Sequence, residues 1–381
     1  MKSSMSQFCV AILAGEASGD QHGAKLVSAM KQKNPDLFFC GMGGDALRRA
    51  GVRIVMEASE LTVVGITEVF AKIPSILKGM ATIKNLLKSL RPDILILIDF
   101  PDFNLRIAAQ AKKLNIPVLY YISPQIWAWR QGRVNRIGKL VDHMAVILPF
   151  EQRFYQDHHV PVTYVGHPLM DANLPAVKPV LNAGTKGQTV IGLVPGSREN
   201  EIVRHLPVIL DAVEILKKRL KHVKFIISHA ASVERQQIQS AVERHPLRAE
   251  IDLVSDGVEK VFERSDVIVA ASGTVTLQAA IHGMPMVIIY KVSPISFWLG
   301  RALVRVPNIG LVNLVAGERL VPELVQHEAS AENIASALVH MLSDASQLNH
   351  LKQRLFALRD VLGGGGASER VADLALEMLQ R

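Results

Sequence analysis

Ile94-Leu95-Ile96-Leu97-Ile98-Asp99-Phe100-Pro101-Asp102-Phe103-Asn104 is the stretch whose reading decides the fold. Five aliphatic residues run without a polar break. Such a run reads as a strand buried on both faces, as strands of a parallel sheet are. It ends at Asp99, and Pro101 stops it. In an open α/β sheet, ligands sit outside the carboxyl ends of the strands. Asp99 is therefore a carboxylate delivered to where chemistry is done. The competing expectation is that Asp99 or Asp102 caps the helix expected from about Asn104. Of the two, Asp102 is the better cap and Asp99 the better base.

Working outward, strand and helix patterns alternate. Strands are expected over 9–13, 37–41, 52–55, 94–99, 117–122, 143–148 and 162–165, with helices over 20–33 and 104–114 and a short one reaching 50. The stretch 168–188 loses all periodicity and holds Pro175, Pro179, Asn182, Gly184 and Gly187, the composition of a linker. The pattern then restarts, with strands over 189–194, 223–227, 267–271 and 286–290 and helices over 201–220 and 274–282. This alternation gives two α/β halves, Rossmann-like and doubly wound, facing a central cleft. The expected division is 1–167, linker 168–188, 189–362, and a glycine hinge with a terminal helix over 363–381, capped by Ser368.

Composition narrows the function. Of 381 residues 49% are hydrophobic, ample for two cores. Cys9 and Cys40 are the two cysteines and have no metal-ligand spacing, which argues against a disulfide framework or zinc site. The net charge of +8 suits nucleic acid, anionic lipid and phosphorylated substrates alike. At 5%, aromatics are poor material for stacking bases, so nucleic acid is not expected. The apolar run 8–14 leads at once into Gly15-Glu16-Ala17-Ser18-Gly19-Asp20 and reads as a first strand rather than a signal peptide. No apolar run reaches the length of a transmembrane helix.

Two turns suit anions. Pro195-Gly196-Ser197-Arg198 ends one strand and opens a helix, where free N–H groups and a positive dipole end meet the planar fork of Arg198. An ordinary turn, capped by Ser197 with Arg198 solvated, has the same residues. Ser272-Gly273-Thr274 repeats the arrangement, and Gln278 lies one turn on, where its amide can reach sugar hydroxyls. Two such turns in one half favour a nucleotide diphosphate. The 15–20 loop is not G-x-G-x-x-G, which counts against a dehydrogenase. Its Glu16, Ser18 and Asp20 suit a hydroxyl-rich substrate or a capped helix start. His167 stands at a strand end facing the linker, placed for substrate or for a structural role. Of Trp127 and Trp129, which alternate with small residues, one is expected in the core; tryptophan serves as often in a core as on a sugar platform.

Between 64 and 91, Val69, Phe70, Ile73, Ile76, Leu77, Met80, Ile83, Leu87 and Leu90 recur at helical spacing, with Lys72, Lys78, Lys84, Lys88 and Arg91 among them. Pro74 is expected in the first turn. A basic amphipathic stripe suits an anionic membrane, and a core-facing helix shows the same spacing. The residues expected to touch lipid are Val69, Phe70, Lys72, Ile73, Ile76, Leu77 and Lys78.

The motifs 15–20, 98–104, Ser123-Pro124-Gln125-Ile126-Trp127-Ala128-Trp129, Leu148-Pro149-Phe150-Glu151, Gly166-His167-Pro168, Pro195-Gly196-Ser197-Arg198 and Ser272-Gly273-Thr274 stand in one order and spacing across nearly the whole chain. Together they resemble the lipid-A-disaccharide synthase family. The resemblance implies a GT-B glycosyltransferase on the cytoplasmic face of a Gram-negative inner membrane. It would join UDP-2,3-diacylglucosamine to 2,3-diacylglucosamine 1-phosphate as a β(1→6) disaccharide and release UDP. It aligns the family's base with Asp99, its diphosphate-binding arginine with Arg198 and a late asparagine with Asn313. Substrate contacts are then expected at Gly15, Glu16, Ser18, Gly19, Asp20, Asn104, His167 and Asn313. UDP contacts are expected at Gly196, Ser197, Arg198, Ser272, Gly273, Thr274 and Gln278. Relatives commonly have glutamate where this chain has Gln278, whose amide still bonds to hydroxyls but contributes no charge. No cofactor or metal is expected: no D-x-D pair follows a strand, and Asp99 with Asp102 is short of oxygen ligands. The partners expected are the two lipid substrates and anionic lipid, and a homodimer is compatible with the sequence. Two other classes stay open: a UDP-sugar 2-epimerase on this fold, with no use for the apolar stripe, and a non-catalytic sugar-nucleotide sensor at the membrane, indifferent to Asp99→Asn.

Overall fold

The structure is a computed structural model describing residues 8–60, 66–171, 174, 187–230, 232–255, 257–304 and 306–380; the side chains at 66–73, 295, 296, 299, 302 and 303 are outside the description. The chain divides into two compact units, Met1–Ala172 with Leu362–Arg381, and Asn173–Val361.

The first unit runs β1 (Cys9–Ala14), α1 (Ala17–Lys33), β2 (Phe38–Gly43), α2 (Asp45–Arg49), β3 (Arg53–Glu57), α3 (Ile66–Leu90) and β4 (Ile94–Ile98). It continues with α4 (Pro101–Lys113), β5 (Val118–Tyr121), α5 (Val134–Leu140), β6 (His143–Val146), α6 (Pro149–Gln156) and β7 (Val162–Tyr164). The seven strands form one parallel sheet in the order β3-β2-β1-β4-β5-β6-β7. The order reverses between β1 and β4, the switch point where ligands bind in such sheets. Successive side chains of a strand face opposite ways. Ile94, Ile96 and Ile98 accordingly join the core with Leu26 and Met30 of α1. Leu95 and Leu97 join the other, with Ile83 and Leu87 of α3 and Phe103 of α4.

Three local expectations are corrected here. The helix after β4 starts at Pro101, not near Asn104: proline's fixed φ suits the first helical position. Phe100 is its N-cap, and Asp102, within the first turn, bonds to Arg133 (2.8 Å) instead of capping. Pro74 lies inside α3 rather than in its first turn, because the helix already begins at Ile66. There it cannot supply the N–H that the Phe70 carbonyl would take.

The second unit runs β8 (Thr189–Val194), α7 (Glu199–Arg219), β9 (Val223–Ser228), α8 (Arg235–Glu243), β10 (Ile251–Val254), α9 (Val258–Arg264), β11 (Val267–Ala271) and α10 (Val275–Ile281). Then come β12 (Met286–Tyr290), α11 (Pro294–Leu303), α12 (Leu311–Ala316), β13 (Glu323–Val325), α13 (Ala331–Leu342) and α14 (Ala345–Val361). Its parallel sheet has the order β10-β9-β8-β11-β12-β13, reversing between β8 and β11.

The last helix, α15 (Ala367–Leu379), returns to the first unit, where Val371, Ala372 and Ala375 pack with Leu26 and Ile94. Ser368 is not its cap. Gly366 stands at the N-cap with φ +88°, and the Asp171 carboxylate accepts the N–H groups of Gly366 (2.8 Å), Ala367 (3.0 Å) and Ser368 (3.3 Å). A carboxylate at a helix N-terminus satisfies orphan donors and meets the positive dipole end. The expected linker 168–188 lies mostly outside the described residues; Pro168–Asp171 is one 3-10 turn.

Candidate active site

Each half places candidate turns at its own switch point. In the first unit Ala14 pairs with Ile98, so Gly15 and Asp99 leave adjacent strands side by side. Asp99 and Phe100 have φ of +45° and +47°. Left-handed backbone at two consecutive residues with a Cβ is costly and persists only where the surroundings fix it. Here they do. Asp99 donates its N–H to Tyr121 O (3.2 Å). Its carbonyl accepts the buried Tyr120 hydroxyl (2.6 Å) and the Asn104 amide (2.7 Å). A Cβ on Gly15 would stand 2.3 Å from the Phe100 ring, so only glycine lets that ring lie against β1. The Asp99 carboxyl is pushed up to about 6, chiefly by burial, then by the Glu16 charge, against a lowering hydrogen bond from Phe100 N–H. A carboxylate of that basicity suits proton abstraction near neutral pH.

The other first-unit expectations sort by contact. Glu16 and Ser18 are exposed beside Asp99's corner, and Gly19 is buried. Asp20 is committed elsewhere: its carboxylate takes the N–H groups of Gly44 (2.6 Å), Ala46 (2.9 Å) and Leu47 (3.2 Å) and so caps α2. Asn104 is fully buried and holds the Asp99 turn. His167 is buried, its Nδ1 accepts Leu169 N–H (3.2 Å), and burial pushes its pKa down to about 4. Ile76 packs partly on the core, Leu77 is 57% exposed, and Lys78 is exposed. The side chains of Val69, Phe70, Lys72 and Ile73 lie outside the described residues.

In the second unit the first anion turn holds an internal anion. Gly196 has φ +127°, and Glu201 folds back so that its carboxylate accepts Ser197 N–H (2.9 Å) and pairs with Arg198 (3.3 Å). Arg198, not Ser197, is the N-cap of α7, and its side chain is 78% exposed. The turn thus offers a backbone donor and a guanidinium to one oxyanion. The second turn is open: nothing lies within 4 Å of a Cβ built on Gly273, and Ser272 Oγ donates to Ile309 O (3.3 Å). Gln278 is half-buried one turn along α10. Asn313 is fully buried, with its amide on Val321 O (2.9 Å) and Glu323 (2.7 Å) and its oxygen accepting Val321 N–H (3.0 Å). It braces the chain around α12. Among the described residues, no group of three or more His, Cys, Asp or Glu gathers as metal ligands.

Three side chains stand out in the structure whose settings the sequence reading did not anticipate. His205 is buried on α7; it bonds Pro195 O (2.9 Å) through Nδ1 and accepts Lys291 N–H (3.0 Å) through Nε2, tying the first turn to the end of β12. Burial lowers its pKa and keeps that neutral tautomer. Glu151 is buried, accepts the Trp127 indole N–H (3.0 Å) and Leu148 N–H (3.0 Å), and is pushed up to about 7, mainly by burial. Trp298 on α11 is 68% exposed. The signals were present in Leu148-Pro149-Phe150-Glu151 and in the apolar run opened by Pro294, but only the folded chain supplies the partners.

A family model described as lipid-A-disaccharide synthetase matches residues 10–368. The chain belongs to the lipid-A-disaccharide synthetase family. Relatives agree. The lipid-A-disaccharide synthase of Geobacter metallireducens is 47% identical over 374 residues, 97% of each chain. That of Coxiella burnetii is 40% identical over 381 residues, 98% of this chain and 100% of its own. Membership gives the reaction class, hexosyl transfer in lipid A disaccharide synthesis. Solved structures show the fold alone. The calicheamicin glycosyltransferase CalG4 (TM-score 0.63, 14% identity, 99% of each chain) and Acinetobacter baumannii MurG (TM-score 0.58, 14% identity, 98% and 100%) place it among two-domain GT-B proteins. A UDP complex of S. aureus MnaA shares the architecture (TM-score 0.66, 14% identity, 98% of each chain).

Proposed function

We propose that the chain joins UDP-2,3-diacylglucosamine to 2,3-diacylglucosamine 1-phosphate, with inversion, to give the β(1→6) disaccharide 1-phosphate and UDP. The observation that carries the reading is Asp99, a carboxyl raised to about 6 at the switch point of the first sheet. In the reaction the acceptor's 6-hydroxyl gives its proton to Asp99 as its oxygen bonds to the donor's C1. The bond from C1 to the diphosphate oxygen breaks, and UDP leaves with the electron pair. Tyr120 and Asn104 hold the Asp99 main chain, so the base is set before substrate arrives. The leaving diphosphate takes over the donors that Glu201 now occupies, Ser197 N–H and Arg198, and Ser272-Gly273-Thr274 receives the rest of the nucleotide. Donors already fixed where negative charge develops stabilise the transition state. Of the first loop, Glu16 and Ser18 remain exposed for sugar hydroxyls; Asp20, Asn104, His167 and Asn313 serve through the frame.

Because both substrates are lipids in this reading, the protein works as a peripheral protein on the cytoplasmic face of the inner membrane. Support comes from α3, where Leu77 and Leu90 are exposed with Lys78 and Lys88. Apolar side chains enter an interface while cations meet anionic headgroups. Among the described residues no helix is long and apolar enough to cross a membrane.

The test is product analysis. Purified protein given both substrates should yield UDP and a disaccharide 1-phosphate by mass spectrometry, with a β-anomeric coupling by NMR. An epimerised UDP-sugar with no disaccharide would reject the reading.

A further inference from the structure

The loop after β5 is pinned at both ends. On one side the buried Trp127 donates its indole N–H to Glu151 on α6 (3.0 Å) and stands edge-on against Phe150, with ring centroids 4.8 Å apart. Gln131 ties back to the Trp127 carbonyl (3.0 Å). On the other side Arg133 bonds Asp102 (2.8 Å) in the first turn of α4, the helix that begins just beyond Asp99. Trp129 and Arg130 stand between the pins, and both are exposed. Arg130 has φ +85°, a conformation that costs a residue with a Cβ. Its guanidinium carbon lies 4.2 Å from the centroid of the Trp129 ring. Among the described residues, no carboxylate or carbonyl accepts from that guanidinium, whereas Arg133 is paired.

Stacking on an indole takes one face of a guanidinium and leaves its edge of N–H donors free. That edge is the part that matches the two oxygens of a phosphate. The braced loop fixes where the edge can point, so less freedom is lost on binding than with a solvated side chain. β4 and β5 are neighbours in the sheet, so Asp99 and this loop leave adjacent strand ends. The corner at Asp99 holds a second acid, Glu16, and repels a phosphate. An acceptor with a hydroxyl at one end and a phosphate at the other is thereby oriented: hydroxyl to the acids, phosphate to the arginine.

We infer that Trp129 and Arg130 form the subsite for the phosphate of the sugar acceptor, with the indole as the plate that sets the guanidinium fork. The inference rests on the reaction proposed above, and it assigns Arg130 a part in choosing the acceptor rather than in handling UDP.

The experiment compares two acceptors, 2,3-diacylglucosamine 1-phosphate and the same lipid without its phosphate, in the unaltered protein and in Arg130→Ala. The unaltered protein should prefer the phosphorylated acceptor by about tenfold or more in kcat/KM, the scale of one charge-assisted hydrogen bond. Arg130→Ala should abolish that preference by raising KM for the phosphorylated acceptor, leaving the other acceptor and UDP affinity unchanged. Arg130→Lys, a point charge without the fork, should keep part of the preference. If Arg130→Ala retains the full preference, or slows both acceptors equally, the subsite is overturned and the stack is packing. An unaltered protein that uses both acceptors equally well overturns it too. No disaccharide from either acceptor would sink the proposed reaction and the subsite with it.

Discussion

Asp99 carries two opposed consequences of one environment. Folding raises its carboxyl from 3.8 to about 6, so the folded chain holds that proton more tightly than the unfolded chain. The group therefore costs stability as pH rises: nothing below about 3.8, the full amount above about 6, at most ~3 kcal/mol. Asp99→Asn should raise the thermal midpoint at pH 7 and not at pH 4, as differential scanning calorimetry can measure. The acidic limb of kcat/KM should fall as pH drops through about 6, since that profile reports the free enzyme. Glu16→Gln removes a neighbouring negative charge and should shift the limb to lower pH; an unmoved limb would remove Glu16 from the account. At the other switch point, Arg198→Ala should raise the UDP Kd about tenfold or more by calorimetry, the loss of one charge-assisted bond. The positions of Asp99 and Arg198 were legible because each follows shortly on the end of an apolar strand. Asp20 and Asn313 were not, because their partners come from segments far along the chain.

Helices and strands show the same limit in reading. In the second sheet the interior strands β8, β9, β11 and β12 were expected, and β10 and β13 were missed. The missed pair are the edges, short strands in which an acid, Asp252 or Glu323, interrupts the apolar run that marks an interior strand. Along α3, periodicity could not separate core from surface, and exposure does. Ile76→Ser should cost about 1–2 kcal/mol in a urea melt because it packs partly on the core. Leu77→Ser should stay within about 0.5 kcal/mol and yet weaken binding to anionic vesicles. Undiminished vesicle sedimentation by Leu77→Ser would reject docking through that face. For α15, Asp171→Ala removes the acceptor of three N–H groups and should cost about 1–2 kcal/mol. Amide exchange should then quicken first in that helix; unchanged exchange would mean another group caps it.

At the scale of the whole molecule, two parallel sheets with helices between their strands were legible because strands buried on both faces read as unbroken apolar runs. The return of α15 to the first unit was not legible, since nothing local in Ala367–Leu379 names its partner. The central proposal assigns the base to the first unit and the groups that hold the leaving nucleotide to the second. The most direct test is the turnover of Asp99→Asn in a folded protein, with UDP affinity measured on the same sample. The account predicts disaccharide formation slowed about 10²-fold or more with UDP binding unchanged, the usual scale for a lost general base. Near-normal turnover in Asp99→Asn would contradict it.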